Sequence, residues 1–149
     1  MGYTITIGDL EIGKSPEDAM ECSGITLDAK GVRHDDAPAF GEPTDYTNSR
    51  WPSYSVWSDF MMATGLYDLF FTERGHLIGG HPGVRLITKP MVDRVGKALS
   101  NWRANHPEAS AQLGDEVSEA DAWLCRLIWL DYWLRWSLEN CDTPVIANS

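Results

Sequence analysis

The chain has 149 residues, a formal net charge of −10, 43% hydrophobic side chains and 11% aromatic ones. That length suits one globular domain, 1–149, that buries most of its unfolded surface, and that composition excludes a disordered chain. No apolar run reaches the roughly 18–20 residues of a membrane span, and Met1 to Thr6 has no basic start leading into an apolar segment, so a cytoplasmic protein with no membrane association is expected.

Charge is unevenly placed. Residues 1–48 hold 3 basic and 10 acidic side chains (−7), residues 49–106 hold 7 and 4 (+3), and residues 107–149 hold 2 and 8 (−6). General nucleic-acid binding is disfavoured, because neutralising phosphates needs a dominant basic face. The basic middle leaves room for a local anion site. Cys22, Cys125 and Cys141 are an odd, scattered set with no C-x-x-C pair, which fits reduced thiols rather than disulfides or structural zinc.

In chain order, Tyr3, Ile5 and Ile7 alternate with Thr4 and Thr6, and Leu10 and Ile12 resume after Gly8-Asp9. This reads as a β-hairpin over 3–12 turning at the glycine. Ser15-Pro16-Glu17-Asp18 starts a short helix that Gly24 ends, and Ile25 to Leu27 can add a strand. From Asp28 to about Ser53 turn formers and prolines leave no periodicity, with Phe40, Tyr46 and Trp51 as packing anchors; such long loops often bind ligands.

A helix follows from about Ser53 or Tyr54 to Thr64, with Trp57, Phe60, Met61 and Thr64 on one face and Gly65 ending it. Leu66 to Thr72 and His76 to Ile78 flank Glu73-Arg74-Gly75 as a second hairpin. Gly79 to Gly83 is a loop, and Val84 to Ile87 returns as a strand. Thr88 caps a helix with Pro90 in its first turn and Met91, Val95, Leu99 and Trp102 on one face; Asn105-His106-Pro107 ends it. An acidic connector, Glu108 to Val117, leads on.

Glu116 to Asn140 reads as one long helix holding four of the seven tryptophans. At about 100° per residue, Trp123, Leu127, Leu130, Leu134 and Leu138 form an aliphatic stripe, and Cys125, Trp129, Tyr132, Trp133 and Trp136 an aromatic one roughly opposite. Asp131, Arg135 and Glu139 form a charged row in the C-terminal half only. In the N-terminal half Leu124 and Ile128 take that sector, leaving it apolar nearly all round. The aromatic stripe needs a cover: the hairpins, a ligand, or a second copy in a homodimer. The predicted fold is α+β, a small antiparallel sheet packed by about three to four helices with the Trp-rich C-terminal helix at the centre.

Three stretches carry candidate chemistry. His34-Asp35-Asp36 has ligands for a cation, but neighbours in sequence point apart, so a solvated loop is the simpler reading and no metal is assigned. His76 and His81 lack the spacing and acidic partner of a metal pair; the glycines around Gly80 suit an anion nest with Arg74, Arg85 or a histidine as charge partner. Glu42 to Tyr54 combines rings, edge-reading polar groups and an arginine just before a helix N-terminus, the parts of a pocket for a polar planar anion or of a protein-binding epitope. Catalytic signatures are absent.

The favoured expectation is a non-catalytic binding protein with no cofactor. Its loops 42–54 and 79–83 together take an anionic small molecule, a nucleotide among the candidates, through Asp45, Tyr46, Asn48, Arg50, Trp51, Tyr54, His76, Gly80, His81 and Arg85. An acidic module that inhibits or adapts a protein partner is the alternative. A hydrolase or transferase using His34, His76 or His81 is the third.

Overall fold

The computed structural model describes residues 4–14, 25–40, 45–71, 83–111 and 117–148. In order these form β1 (Ile5–Lys14), β2 (Ile25–Ala29), β3 (Ser49–Arg50), α1 (Tyr54–Thr64), α2 (Tyr67–Phe70), β4 (Gly83–Leu86), α3 (Lys89–Asn105), α4 (Glu119–Asn140) and β5 (Pro144–Asn148). The fold is α+β, an antiparallel sheet in the order β2-β1-β5-β4 with the two-residue β3 beside β1.

β1 organises the sheet. Its first half pairs with β5, Ile7 opposite Ile146, and its second half pairs with β2, Ile12 opposite Leu27. The hairpin expected over 3–12 is therefore replaced by one continuous strand. Gly8 does not turn the chain. A Cβ there would lie 2.7 Å from the Lys30 carbonyl oxygen and 3.0 Å from Asn48 Nδ2, so glycine serves a close approach of backbones. Asp9 holds both flanks of the strand: its carbonyl accepts from Lys30 N at 2.8 Å, and its Oδ1 from Thr143 N at 2.8 Å.

β5 supplies the inner strand, and no strand was expected from Pro144-Val-Ile-Ala-Asn148. Strands covered on both faces read as short continuous apolar runs, not alternations, and Pro144 sits at the first strand position, where a missing N–H is tolerated. Ile5, Ile7 and Ile146 face the helices and are fully buried. Val145, Ala147 and Ala29 form a smaller cluster on the other face.

The helix signals hold with small shifts. Ser53 Oγ accepts from Val56 N, and Gly65 closes α1 at φ 73°. α3 buries Met91, Val95 and Leu99 as its spacing predicts, and Ser118 caps α4 by accepting from Asp121 N at 3.2 Å. Arg94 makes a two-pronged pair with Asp68, 2.8 and 2.9 Å, and donates to the Gly65 carbonyl at 3.0 Å, fastening α3 to the α1–α2 corner. The strand expected from Leu66 is instead α2, which buries Leu69 and Phe70 one after the other; a strand would have sent them to opposite faces. The second arm of that hairpin, the helix expected from Ser15, and most of the glycine-rich loop lie outside the described residues.

α4 is the centre of the helical layer. Trp123, Leu127, Leu130 and Leu134 are buried as the aliphatic stripe, and Trp129 and Trp133 are equally buried opposite them. Leu138, at the end of the aliphatic stripe, is exposed. Cover for the aromatic stripe comes from within the chain, from the segment ahead of α1. Trp129 Nε1 donates to the Thr47 carbonyl at 3.1 Å, and His34 lies 5.3 Å from the Trp133 ring and 5.1 Å from Trp136.

Candidate functional site

Arg50 is the second residue of β3, directly opposite Ile5. Residues directly opposite share a sheet face, so Arg50 shares the helix-facing side with buried Ile5. Its guanidinium carbon lies 5.9 Å from the centroid of Trp129, and Nη2 donates to the Phe40 carbonyl at 3.4 Å. Arg126 sits on α4 three residues after Trp123 and three before Trp129. Its guanidinium carbon is 5.6 Å from the Trp123 ring and 5.9 Å from Trp57 of α1. Residues three apart on a helix are surface neighbours, so the two arginines approach the same turn of α4 from β3 and from the helix itself.

The hydrogen-bond accounting at this place is lopsided. Among the described residues, Arg50 Nη1, Arg126 Nε, Arg126 Nη1 and Trp57 Nε1 are buried with no acceptor and neither arginine forms an ion pair. Burial lowers the Arg50 pKa to about 9, with the charge of Arg126 adding to the effect, and burial also pulls Arg126 down. The neighbouring Cys125 thiol is pushed up by burial, against the opposing pull of Arg50, and contacts the Ala111 carbonyl at 3.6 Å. Buried donors are normally paired, and buried charges more strictly so. An arrangement of this kind is suited to accepting negative charge.

An open groove of about 670 Å³ adjoins it, between α3, α4 and the segment 36–40. Phe40, whose carbonyl receives Arg50, forms part of its wall with Tyr132 and Trp136, and Asp36, Arg103 and Glu139 give it charges of both signs. Burial, and next the charge of Asp36, raises the Tyr132 phenol.

The expected site residues scatter. Asn48 is wholly buried and its amide is consumed by the fold: Oδ1 accepts from Val32 N at 2.8 Å, and Nδ2 donates to the carbonyls of Ile7 at 2.7 Å and Lys30 at 2.8 Å. Tyr46, at φ 62°, lies exposed under Arg33, whose guanidinium carbon is 5.1 Å from the ring. Asp45 is exposed, Trp51 is 67% exposed, and Tyr54 packs half-buried on the core. As anchors of the long loop Tyr46 and Trp51 are replaced by Asn48, which joins it to β1.

Arg85 donates to the Leu69 carbonyl from β4, on the far side of β5 and β1 from Arg50. Gly83 pairs with Asn148, Asn148 with Ile5 and Ile5 with Arg50, so three strand spacings, roughly 14 Å at about 4.8 Å each, separate that end of the glycine loop from Arg50. His76, Gly80 and His81 lie outside the described residues.

His34-Asp35-Asp36 does not converge: His34 packs on tryptophans, Asp35 pairs with Arg33 at 3.0 Å and Asp36 faces the groove. Among the described residues no three His, Cys, Asp or Glu side chains gather as metal ligands, and no helix is long and apolar enough to cross a membrane.

Arg126 is the participant that sequence reasoning passed over. Its signal was present as the one charge in the stretch 122–130 of α4, which is otherwise apolar. Comparison of the chain with protein-family models, with characterised proteins and with solved structures finds no match.

Proposed function

We propose that this is a cytoplasmic, non-catalytic binding protein for an anionic small molecule, a nucleotide among the candidates, with Arg50 as a charge partner. The observation that carries the reading is the set of four buried donors on Arg50, Arg126 and Trp57 that no acceptor among the described residues meets. A fold that shields two guanidinium groups among tryptophans with no carboxylate among the described residues bears a cost that a bound anion removes. The binding region is the 45–54 side of the sheet with α4. Thermal-shift screening of nucleotides and other anionic metabolites tests it: stabilisation that Arg50→Ala eliminates is expected, and no stabilisation by any of them at millimolar concentration overturns it.

A second reading, an acidic module for a protein partner, is favoured by the β1–β2 ribbon. Ile12 and Leu27 are exposed cross-strand neighbours on one face, and Glu11 and Asp28 stand directly opposite on the other. Like charges so placed destabilise a strand pair, and a basic, partly apolar partner relieves both features. Under this reading Glu11→Lys stabilises the isolated chain while weakening its retention on an immobilised basic peptide.

A further inference from the structure

We infer that Arg50, Arg126 and Trp57 hold a dianionic tetrahedral oxyanion, orthophosphate or the phosphate group of a monoester. The inference rests on the anion-binding reading above and names its ligand class. Three observations lead there.

The first is charge. Two guanidinium groups flank the same turn of α4 with no carboxylate partner among the described residues. A monoanion leaves one positive charge buried and unpaired, whereas a dianion compensates both.

The second is direction. A carboxylate is planar and is matched by one guanidinium fork. Here the unmet donors come from three elements, Arg50 on β3, Arg126 on α4 and Trp57 on α1. Donors carried on three separate elements suit oxygens arranged tetrahedrally around phosphorus better than a planar pair.

The third is surroundings. Trp57 and Trp129 are fully buried and Trp123 nearly so, and each ring faces one of the two guanidinium groups. Such walls exclude water, which strengthens a charged hydrogen bond to the arginines. They contribute no acceptor of their own, since an indole N–H only donates.

The test is differential scanning fluorimetry of the full chain at matched ionic strength with sodium orthophosphate, sulfate, acetate or adenosine monophosphate. Orthophosphate is expected to bind at least tenfold more tightly than acetate. Its gain should grow from pH 5.5 to 7.5 as the dianion forms, while that of sulfate stays flat. Arg126→Met should abolish the phosphate gain and raise the melting temperature of the anion-free chain, because an apolar side chain replaces an uncompensated charge; that rise shows the variant is folded. A larger gain from adenosine monophosphate than from orthophosphate supports the inference with a phosphorylated metabolite as the source, and equal gains support it with the free ion. An equal, Arg126-dependent gain from acetate overturns the dianion while leaving anion binding in place. A gain that Arg50→Ala removes but Arg126→Met leaves intact overturns the inference alone, and no gain from any anion overturns both.

Discussion

The side-chain nitrogen of Asn48 stands 3.0 Å from the point a Cβ on Gly8 would occupy, and the same nitrogen bonds the carbonyls on either side of that contact, Ile7 and Lys30. Asn48 also bonds through its backbone, donating to Val32 O at 3.2 Å and accepting from Ile7 N at 3.0 Å. One side chain thus joins β1 to the segment after β2 and to β3. Arg50, two residues on, is aimed by this junction, so a stability element and the candidate site share a support.

Asn48→Ala is expected to cost about 2–3 kcal/mol, since one buried and two part-buried backbone groups lose their partner, at roughly 1–3 kcal/mol for the buried one and less for the others. Asn48→Asp should be worse at neutral pH, because a carboxylate donates nothing to two carbonyls and is charged where it is buried. Gly8→Ala should destabilise as well, its methyl meeting the Lys30 carbonyl at 2.7 Å. Urea denaturation of the three variants checks the order; wild-type stability in Asn48→Ala would remove the junction.

The helices were legible because the information is local: Ser53 and Ser118 accept N–H groups of the first turn and Gly65 takes the left-handed C-cap, whereas Thr88 stands at the start of α3 without a side-chain capping bond. The sheet was less so. Gly8-Asp9 has the composition of a turn, and what makes it strand interior is Lys30 and Asn48, distant in sequence. β5 alternates nothing because both its faces are covered. At the site Arg50 was identified from its neighbourhood, whereas Arg126 belongs through contacts with Trp57 that only the packing of α1 on α4 creates.

Gly96, inside α3, faces the Arg135 guanidinium across the α3–α4 contact. A Cβ there would come within 2.7 Å of Arg135 Nη2. That atom ends a flexible side chain paired with Asp131 at 2.8 Å on the helix surface. Exposed pairs of this kind contribute little, about 0.3–0.5 kcal/mol, whereas alanine gains about 1 kcal/mol over glycine in a helix interior. Gly96→Ala should therefore stabilise modestly, by roughly 0.5 kcal/mol. A loss of stability in chemical denaturation would mean that Arg135 is held more firmly than its exposure indicates.

Arg50 gives a pH signature. Its folded pKa, about 9, lies below the ordinary guanidinium value because burial and Arg126 oppose the charge. Above pH 9 the folded chain releases a proton that the unfolded chain keeps, so stability contributed by this group rises with pH. Below that point both states are protonated and the full cost of the buried charge remains. In anion-free buffer, Arg50→Gln should thus have its greatest advantage over wild type near pH 7–8, shrinking toward pH 10.5. A constant difference across that range would show that Arg50 keeps its proton throughout.

Trp133 and Trp51 make the closing pair of expectations, since one is sealed and the other lies in solvent. Trp133 is fully buried, with Tyr132 at 5.1 Å and Trp136 and His34 at 5.3 Å from its ring. Trp133→Ala should cost about 3–5 kcal/mol, the usual range for deleting a large buried aromatic. Its Nε1 has no acceptor among the described residues, so Trp133→Phe removes an unmet donor as it opens a smaller cavity and should cost clearly less than the alanine variant. Trp133→Glu should unfold the chain whatever its state of association, because the ring is covered by His34 and its own helix. Trp51, two-thirds exposed, contributes little packing, so Trp51→Ala should leave the melting temperature within about 1 °C of wild type, as surface substitutions usually do. If Trp51→Ala also leaves anion affinity unchanged while Arg50→Ala abolishes it, binding is carried by the buried guanidinium groups and not by stacking on the outer loop; a loss of affinity in Trp51→Ala equal to that in Arg50→Ala would return the site to the loop surface.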